Sequence, residues 1–202
     1  MSPRPQLPAD EVEARRFAIC EATLDEIVAR GPEAVRMRDV ASAAGVSVGA
    51  VQYYFASRDD LLVAAFSLHS VEVIAAIGHL SREASPWVQL QASFEAVPSV
   101  GGYARRSALW IELVAAARRN AVLASCVDEV FDSWRAHFSS IIDTGIREGE
   151  FDPLLPAESI VDVIIAQIDG FDLAVASGRR RLTPAQISAG LEATASALLR
   201  HT

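Results

Sequence analysis

The chain contains no lysine: its 18 cations are all arginines, set against 26 carboxylates, for a formal net charge of -8 over 202 residues. Without lysine there is no P-loop of the G-x-x-x-x-G-K-[ST] type, because that lysine is what reaches the nucleotide phosphates. Taken alone, the acidic balance argues against nucleic acid as a partner, so any such function must rest on a local basic patch. Cysteine is scarce. Cys20 and Cys126 are far apart and neither belongs to a C-x-x-C pair, which fits buried thiols in a reducing cytoplasm better than a disulfide frame. His69, His79, His137 and His201 show no metal-ligand spacing with the cysteines, and H-E-x-x-H is missing, so neither metal nor cofactor is expected. No long apolar run is free of polar breaks. Residues 154–176 come nearest, interrupted by Glu158, Asp162, Gln167, Asp169 and Asp172, so no membrane partner is expected. The start, MSPRPQLPAD, carries prolines in place of an apolar segment; it reads as a short disordered arm, not a secretory signal.

Strict apolar/polar alternation is also missing, which leaves an all-α chain. The periodicity predicts helices over residues 11–30, 38–44, 47–54, 57–81, 86–96, 102–119, 122–148, 157–177 and 184–200. Gly31-Pro32 closes the first helix, and Gly45 ends the second. Ser47 is placed to cap the third, and Ser57 with Asp60 three residues on can form a capping box for the fourth.

The most informative block is residues 36–62, RMRDVASAAGVSVGAVQYYFASRDDLL. It holds two short helices joined by a tight turn. Ala41 is small where the helices approach, Gly45 supplies the backbone freedom of the turn, and Val40, Ala44, Val46 and Val51 are apolar at contact positions. Ser47, Val48, Ala50, Gln52, Tyr53 and Tyr54 remain on the outside, small or able to hydrogen-bond. This is the pattern of a helix-turn-helix, whose second helix can lie in the DNA major groove. Between Arg30 and Arg58 four arginines face two acids, a local balance of +2 in an acidic chain.

The run Gly45-Val46-Ser47-Val48-Gly49-Ala50-Val51-Gln52-Tyr53-Tyr54-Phe55, followed by Ser57-Arg58-Asp59-Asp60-Leu61, resembles the signature of the tetracycline-repressor (TetR) family of bacterial regulators. The motif covers about the first quarter of the chain; the later helices match in number, length and order. The stretches LWIELVAAARRN and IIAQIDGFDLA look like the choline-repressor branch of C-terminal domains. The resemblance implies an arm over residues 1–10, a helix-turn-helix DNA-binding domain over 11–56 and a ligand-binding and dimerisation domain over 57–202. It implies that Arg38 contacts phosphate or a base edge, and that Val48, Ala50 and Gln52 lie nearest the bases, with Ser47 at the helix start. Glutamine can pair bidentately with adenine and the Ala50 methyl can touch a thymine methyl. Tyr53, Tyr54 and Arg58 would hold phosphates. Tyr54 and Phe55 can equally be read as core aromatics, and Arg58 as a solvated helix-start residue. Val48 and Gln52 depart from the common Lys/Arg and aromatic at those positions, which predicts a different operator sequence and fewer phosphate contacts.

In the sensor half, Phe66, Phe94, Trp110, Val114, Phe131, Trp134, Phe138, Ile168 and Phe171 are candidates to line a cavity for an unknown small-molecule effector. Glu112, Asp169 and Asp172 admit two readings. Beside Trp110 or Trp134 an acid could hold a cationic ligand by charge and cation–π attraction; otherwise these acids face solvent or pair with Arg118, Arg119 or Arg135, the expectation adopted here. The last two helices are expected to form a homodimer through Ile164, Ile168, Ile187, Leu191, Ala195 and Leu198 as a four-helix bundle.

The expected function is a ligand-responsive regulator of double-stranded operator DNA in the cytoplasm, a repressor released from a palindrome by a small molecule. The alternatives are a helical DNA-binding protein without an effector and a ligand carrier that has lost DNA binding. Gly45-Val46-Ser47-Val48-Gly49 also fits G-x-S-x-G, but a nucleophile elbow needs a strand before its serine, and a helical pattern stands there; no enzyme is expected.

Overall fold

The computed structural model describes residues 8–78, 84–100, 102–178 and 182–201, with backbone alone at positions 9 and 69–78. Among the described residues there are nine α-helices and no strand. They are α1 (Ala9–Arg30), α2 (Met37–Ala43), α3 (Val48–Tyr54), α4 (Arg58–Gly78), α5 (Pro86–Ala96), α6 (Tyr103–Ala117), α7 (Ala121–Glu148), α8 (Ala157–Ala176) and α9 (Pro184–Leu199). None is long and apolar enough to cross a membrane.

Most helix ends follow from one polar side chain or one glycine. Ser47 Oγ accepts from the Ala50 N–H at 3.1 Å and starts α3. Ser57 Oγ accepts from the Asp60 N–H at 3.0 Å and starts α4. Asn120 caps α7, and Thr183 with Gln186 forms a capping box on α9 that the sequence reading did not anticipate. At the end of α2 the Gly45 N–H reaches Ser42 O and the Val46 N–H reaches Ala41 O, at 3.3 and 2.9 Å. This Schellman closure needs the positive φ of Gly45, 66°. Helix α1 starts earlier than expected: Ala9 and Asp10, assigned to the arm, are helical, with Asp10 and Glu11 in the first turn against the positive helix end. Residues 1–7 and 79–83, which hold most of the expected arm and the expected end of the fourth helix, lie outside the described residues. A 3-10 turn, Pro32–Ala34, follows α1.

Two apolar cores organise the helices. The first joins Ile19, Leu24 and Ile27 of α1 to Val40, Val51, Phe55, Leu61, Leu62 and Phe66, and continues into Leu109 and Leu113 of α6 and Leu123 of α7. It crosses position 56/57, so the helix-turn-helix leans directly on α6 and the start of α7. The second core is formed by α5, α7, α8 and α9, with Phe94, Phe138, Ile142, Ile164 and Leu191 fully buried. Cys20 and Cys126 are free and buried, and burial pushes both thiols up from their ordinary range.

Candidate DNA-reading helix and ligand cavity

Helix α3 buries Val51 against the first core and leaves its opposite face uncovered. Ser47, Val48 and Gln52 are exposed, Tyr53 is 79% exposed, and Ala50 is half-buried. Tyr54 does not stand out from the helix: it is half-buried and packs on the core, edge-to-face with Tyr53 at 5.2 Å. Phe55 is buried, with the Arg16 guanidinium 5.8 Å from its ring centre. Arg38 is exposed on α2 and 3.4 Å from Asp39. Arg58 differs from the expectation of a phosphate holder. Its Nε donates to Val35 O at 2.9 Å, another guanidinium N–H donates to Pro32 O, and a third group meets Asp59 at 3.2 Å. Three of its five N–H groups are engaged in this way, and two of them tie the 3-10 turn to the start of α4. Arg36, passed over in the sequence reading, is exposed at the N-terminus of α2 and has no ion-pair partner among the described residues. Its signal was present in the basic block, but charge counting cannot separate free arginines from paired ones.

Between α4, α6, α7 and α8 lies a cavity of about 60 Å³. Its walls are Phe66, Leu109, Trp110, Leu113, Val130, Phe131, Trp134, Ile165 and Ile168, and its polar groups are Arg106, Asp169 and Asp172. Of the nine apolar and aromatic candidates, five line it, Phe66, Trp110, Phe131, Trp134 and Ile168, and the candidate acid Asp172 lines it as well. The other four are placed elsewhere by packing. Phe138 stacks behind Trp134, ring centres 5.6 Å apart, and Phe94 lies behind Phe138 at 6.0 Å. The Phe171 ring fills the space left by the missing side chain of Gly190, where a Cβ would come within 3.1 Å of it. Val114 is 37% exposed on the outer side of α6.

The acids also depart from the adopted expectation. Asp169 accepts from Trp110 Nε1 at 2.9 Å, and Asp172 accepts from Ser107 Oγ at 2.7 Å. Of the arginines expected to neutralise them, Arg119 pairs with Glu33 and Arg135 with Asp162, and Arg118 makes no ion pair with either acid among the described residues. Glu112 points away, its carboxylate near Gly31. Burial pushes Asp169 up to about 6, with the Trp110 hydrogen bond opposing and the Asp172 charge adding to the rise. Burial raises Asp172 as well, against the Ser107 hydrogen bond, the Arg106 charge and the Tyr103 hydroxyl. Arg106 is lowered by burial, partly offset by Asp172. Its guanidinium donates to Val100 O at 2.8 Å and also to Val97 O, and lies 4.9 Å from the Tyr103 ring centre. The buried Tyr103 hydroxyl, beside Asp172, has no hydrogen bond of normal geometry.

An acid raised by burial destabilises the folded state once it ionises. For Asp169 that cost grows as pH rises from its unfolded value toward about 6 and is complete above that. Asp169→Asn is therefore expected to raise the Tm of the ligand-free protein by a few degrees at pH 7.5. The gain should shrink toward zero below about pH 3, where the wild-type carboxyl is largely protonated in both states. A Tm unchanged or lowered at pH 7.5, read by differential scanning calorimetry, contradicts the burial account.

Residues 19–65 match the family model for bacterial regulatory proteins of the tetR family, and residues 89–200 match the model for the C-terminal part of BetI-type transcriptional repressors. The chain belongs to the tetR family. It is a ligand-responsive, DNA-binding transcriptional regulator. Similar proteins include the uncharacterized HTH-type transcriptional regulator YfiR of Bacillus subtilis, 24% identical over 82% of each chain. The HTH-type transcriptional regulator PksA of the same organism is 45% identical over 28% of this chain and 27% of its own. Among solved structures, a putative TetR-family regulator from Rhodococcus sp. superposes with a TM-score of 0.81 at 23% identity, covering 93% of this chain and 99% of that one. A putative transcriptional regulator from Saccharomonospora viridis in complex with choline has a TM-score of 0.77 at 25% identity, covering 90% and 94%.

The residues expected at the dimer contact of this TetR-family protein need correction. Ile164, Ile187, Leu191 and Ala195 are completely buried within one protomer and Ile168 nearly so, while Leu198 packs partly against the same core. The five buried ones face α5, α6 and α7 and have no surface to offer a partner. The uncovered face carries Val163, Ala166, Gly170 and Leu173 of α8, and Ala189, Ala193 and Ala197 of α9. Val163 and Leu173 are 40% and 56% exposed. These positions recur at helical spacing and form a mostly apolar, small-residue strip.

Proposed function

We propose that the protein binds a palindromic operator as a homodimer and is released from it when a small molecule occupies the cavity between α4, α6, α7 and α8. The observation that carries this reading is the uncovered face of α3, where Gln52 and Tyr53 stand in solvent while Val51 is fully buried. A short helix with one face anchored and a polar, aromatic face free is what major-groove readout requires. In this reading Gln52, Val48 and Ala50 meet base edges, and Arg36, Arg38, Ser47 and Tyr53 meet phosphates. Tyr54 and Arg58 act from behind, by holding α3 and α4 in place. The second copy sits on the apolar strip of α8 and α9, which places two α3 helices on successive turns of the groove, about 34 Å apart.

Two physical links support transmission from the cavity to the DNA-reading helices. Helix α4 starts beside α3 and supplies Phe66 to the cavity wall. Helix α6 supplies Arg106 and Trp110, while its Arg105 reaches Asp25 of α1 at 2.8 Å and Glu21 at 3.2 Å. Beyond its end, Arg119 meets Glu33 and Asn120 Nδ2 donates to Asp59 at 3.2 Å. A ligand that displaces α6 therefore pulls on α1, on the 3-10 turn and on the start of α4 together. To release DNA, it must bind the released state more tightly than the DNA-bound state.

Selection from a random-sequence duplex pool at two salt concentrations tests the reading. A palindrome should be enriched, with affinity falling as salt rises. Gln52→Ala should weaken binding by roughly 10- to 100-fold and relax preference at one position per half-site. Failure to enrich any sequence at either salt would remove the operator reading.

A further inference from the structure

The polar end of the cavity carries two carboxylates and one guanidinium. Arg106 is committed to Val97 O and Val100 O at the end of α5, and no oxygen of Asp169 or Asp172 lies within ion-pair distance of it among the described residues. Each acid has one oxygen engaged, Asp169 Oδ1 with Trp110 and Asp172 Oδ1 with Ser107. Asp169 has no second hydrogen-bond donor among the described residues, while the Tyr103 hydroxyl stands beside Asp172, and both acids line the cavity. A buried site with one negative charge in excess must gain a positive charge or a proton. The walls suit the former. The Trp110, Phe131, Trp134 and Phe66 rings surround the site, with Trp110 and Phe131 edge-to-face at 5.4 Å, and aromatic faces attract cations.

We infer that the effector is a small protonated amine, or the ammonium end of a larger one, whose N–H groups bridge the carboxylates of Asp169 and Asp172 and take the place of a proton shared by the pair. The inference rests on the reading of this cavity as the effector site. A protonated amine is favoured over a quaternary ammonium because the Asp169 carboxylate, with one donor in a largely apolar cavity, calls for another. It is favoured over an anion because the site already holds more acid than base. The cavity of about 60 Å³ has room for only a few water-sized groups, so a bulky ligand fits only by opening the helices.

Proton replacement gives binding a defined pH dependence. The ionisable groups facing Asp169 are Asp172 from its own helix and Arg106 from α6, with Tyr103 behind; the described residues of α4 and α7 lining the cavity are Phe66, Val130, Phe131 and Trp134, none of which titrates. Asp169, held near 6 by burial, must lose its proton before the ammonium can take its place. Affinity should therefore rise about tenfold per pH unit below about pH 6 and level off above it.

The test uses four probes of similar size on the full chain at millimolar concentration, by calorimetry in two buffers of different ionisation enthalpy. They are isobutylammonium, isobutanol, isobutyrate and ethyltrimethylammonium. Isobutylammonium is expected to bind with proton release below pH 6, at least tenfold more tightly than the others at pH 7.5, and Asp169→Asn should remove the pH dependence together with most of the affinity. Equal binding of isobutanol or isobutyrate, or no binding of the amine at any pH, overturns the inference. Equal binding of ethyltrimethylammonium overturns its donor requirement. Operator release separates the two claims. Amine binding that leaves the selected operator bound counts against the cavity as a release site, whereas release by a neutral or anionic probe keeps that reading and removes the amine.

Discussion

Gly145→Ala is expected to lower stability by about 2 kcal/mol, although alanine is the better helix former by about 1 kcal/mol. Gly145 lies in the last turn of α7, where the chain reverses through Gly149. The Glu150 and Phe151 N–H groups both return to Gly145 O, at 2.9 and 3.2 Å, which folds the Phe151 ring onto the glycine. A Cβ at Gly145 would sit 2.2 Å from two carbons of that ring. The ring cannot swing away cheaply. It is buried, edge-to-face with Trp87 at 6.4 Å and with His201 at 6.0 Å, and those two rings stack on each other at 4.2 Å. Overpacking of this kind costs about 3 kcal/mol, which outweighs the gain in helix propensity. Urea unfolding should show the lower midpoint, and Tm should fall by roughly 4–8 °C. Phe151→Leu in the same background should recover part of the loss. A Gly145→Ala protein as stable as wild type would mean that the α7–α8 corner is looser than its packing indicates.

Leu173→Glu and Ala193→Glu are expected to convert the dimer to monomer and to weaken operator binding by a hundredfold or more, because each half-site then binds without its linked partner. Both positions are exposed within one protomer, so the monomer should keep its fold to within about 0.5 kcal/mol. Leu191→Ala should behave in the opposite way. Leu191 is fully buried against the second core, and truncation should cost about 2–5 kcal/mol without directly altering the association surface. Sedimentation velocity and denaturant unfolding on the three variants separate the two helix faces. A dimer that survives both glutamate substitutions rules out the α8–α9 strip as the contact.

The contrast between Leu173 and Leu191 shows what apolar periodicity leaves open. It identifies the residues of α8 and α9 that must leave water, but not whether the same chain or a second copy covers them. Ile164, Ile187, Leu191 and Ala195 formed the stronger stripe, and intramolecular packing against α5, α6 and α7 uses it. The weaker strip of alanines, Val163 and Leu173 is what remains outside. The cavity repeats the point. Large aromatics of α5, α6 and α7 were expected near a ligand, yet Phe138 and Phe94 stand one and two layers behind Trp134, a depth that depends on how α5 docks.

Local chemistry determined much of this protein directly from its sequence. The order of the nine helices, the Ser47 cap, the Gly45 turn, and a recognition helix with Val51 inward and Gln52 and Tyr53 outward all depend on residues a few positions apart, whose effects act through the backbone. Tertiary structure decided the rest: that Asp169 and Asp172 share a cavity with no free cation among the described residues, that Arg58 is spent on Val35 and Pro32, and which strip of α8 and α9 faces solvent. Those outcomes depend on residues 23 to 65 positions apart meeting in space. A charge or an apolar side chain shows in the sequence, but its partner is chosen only when the helices pack.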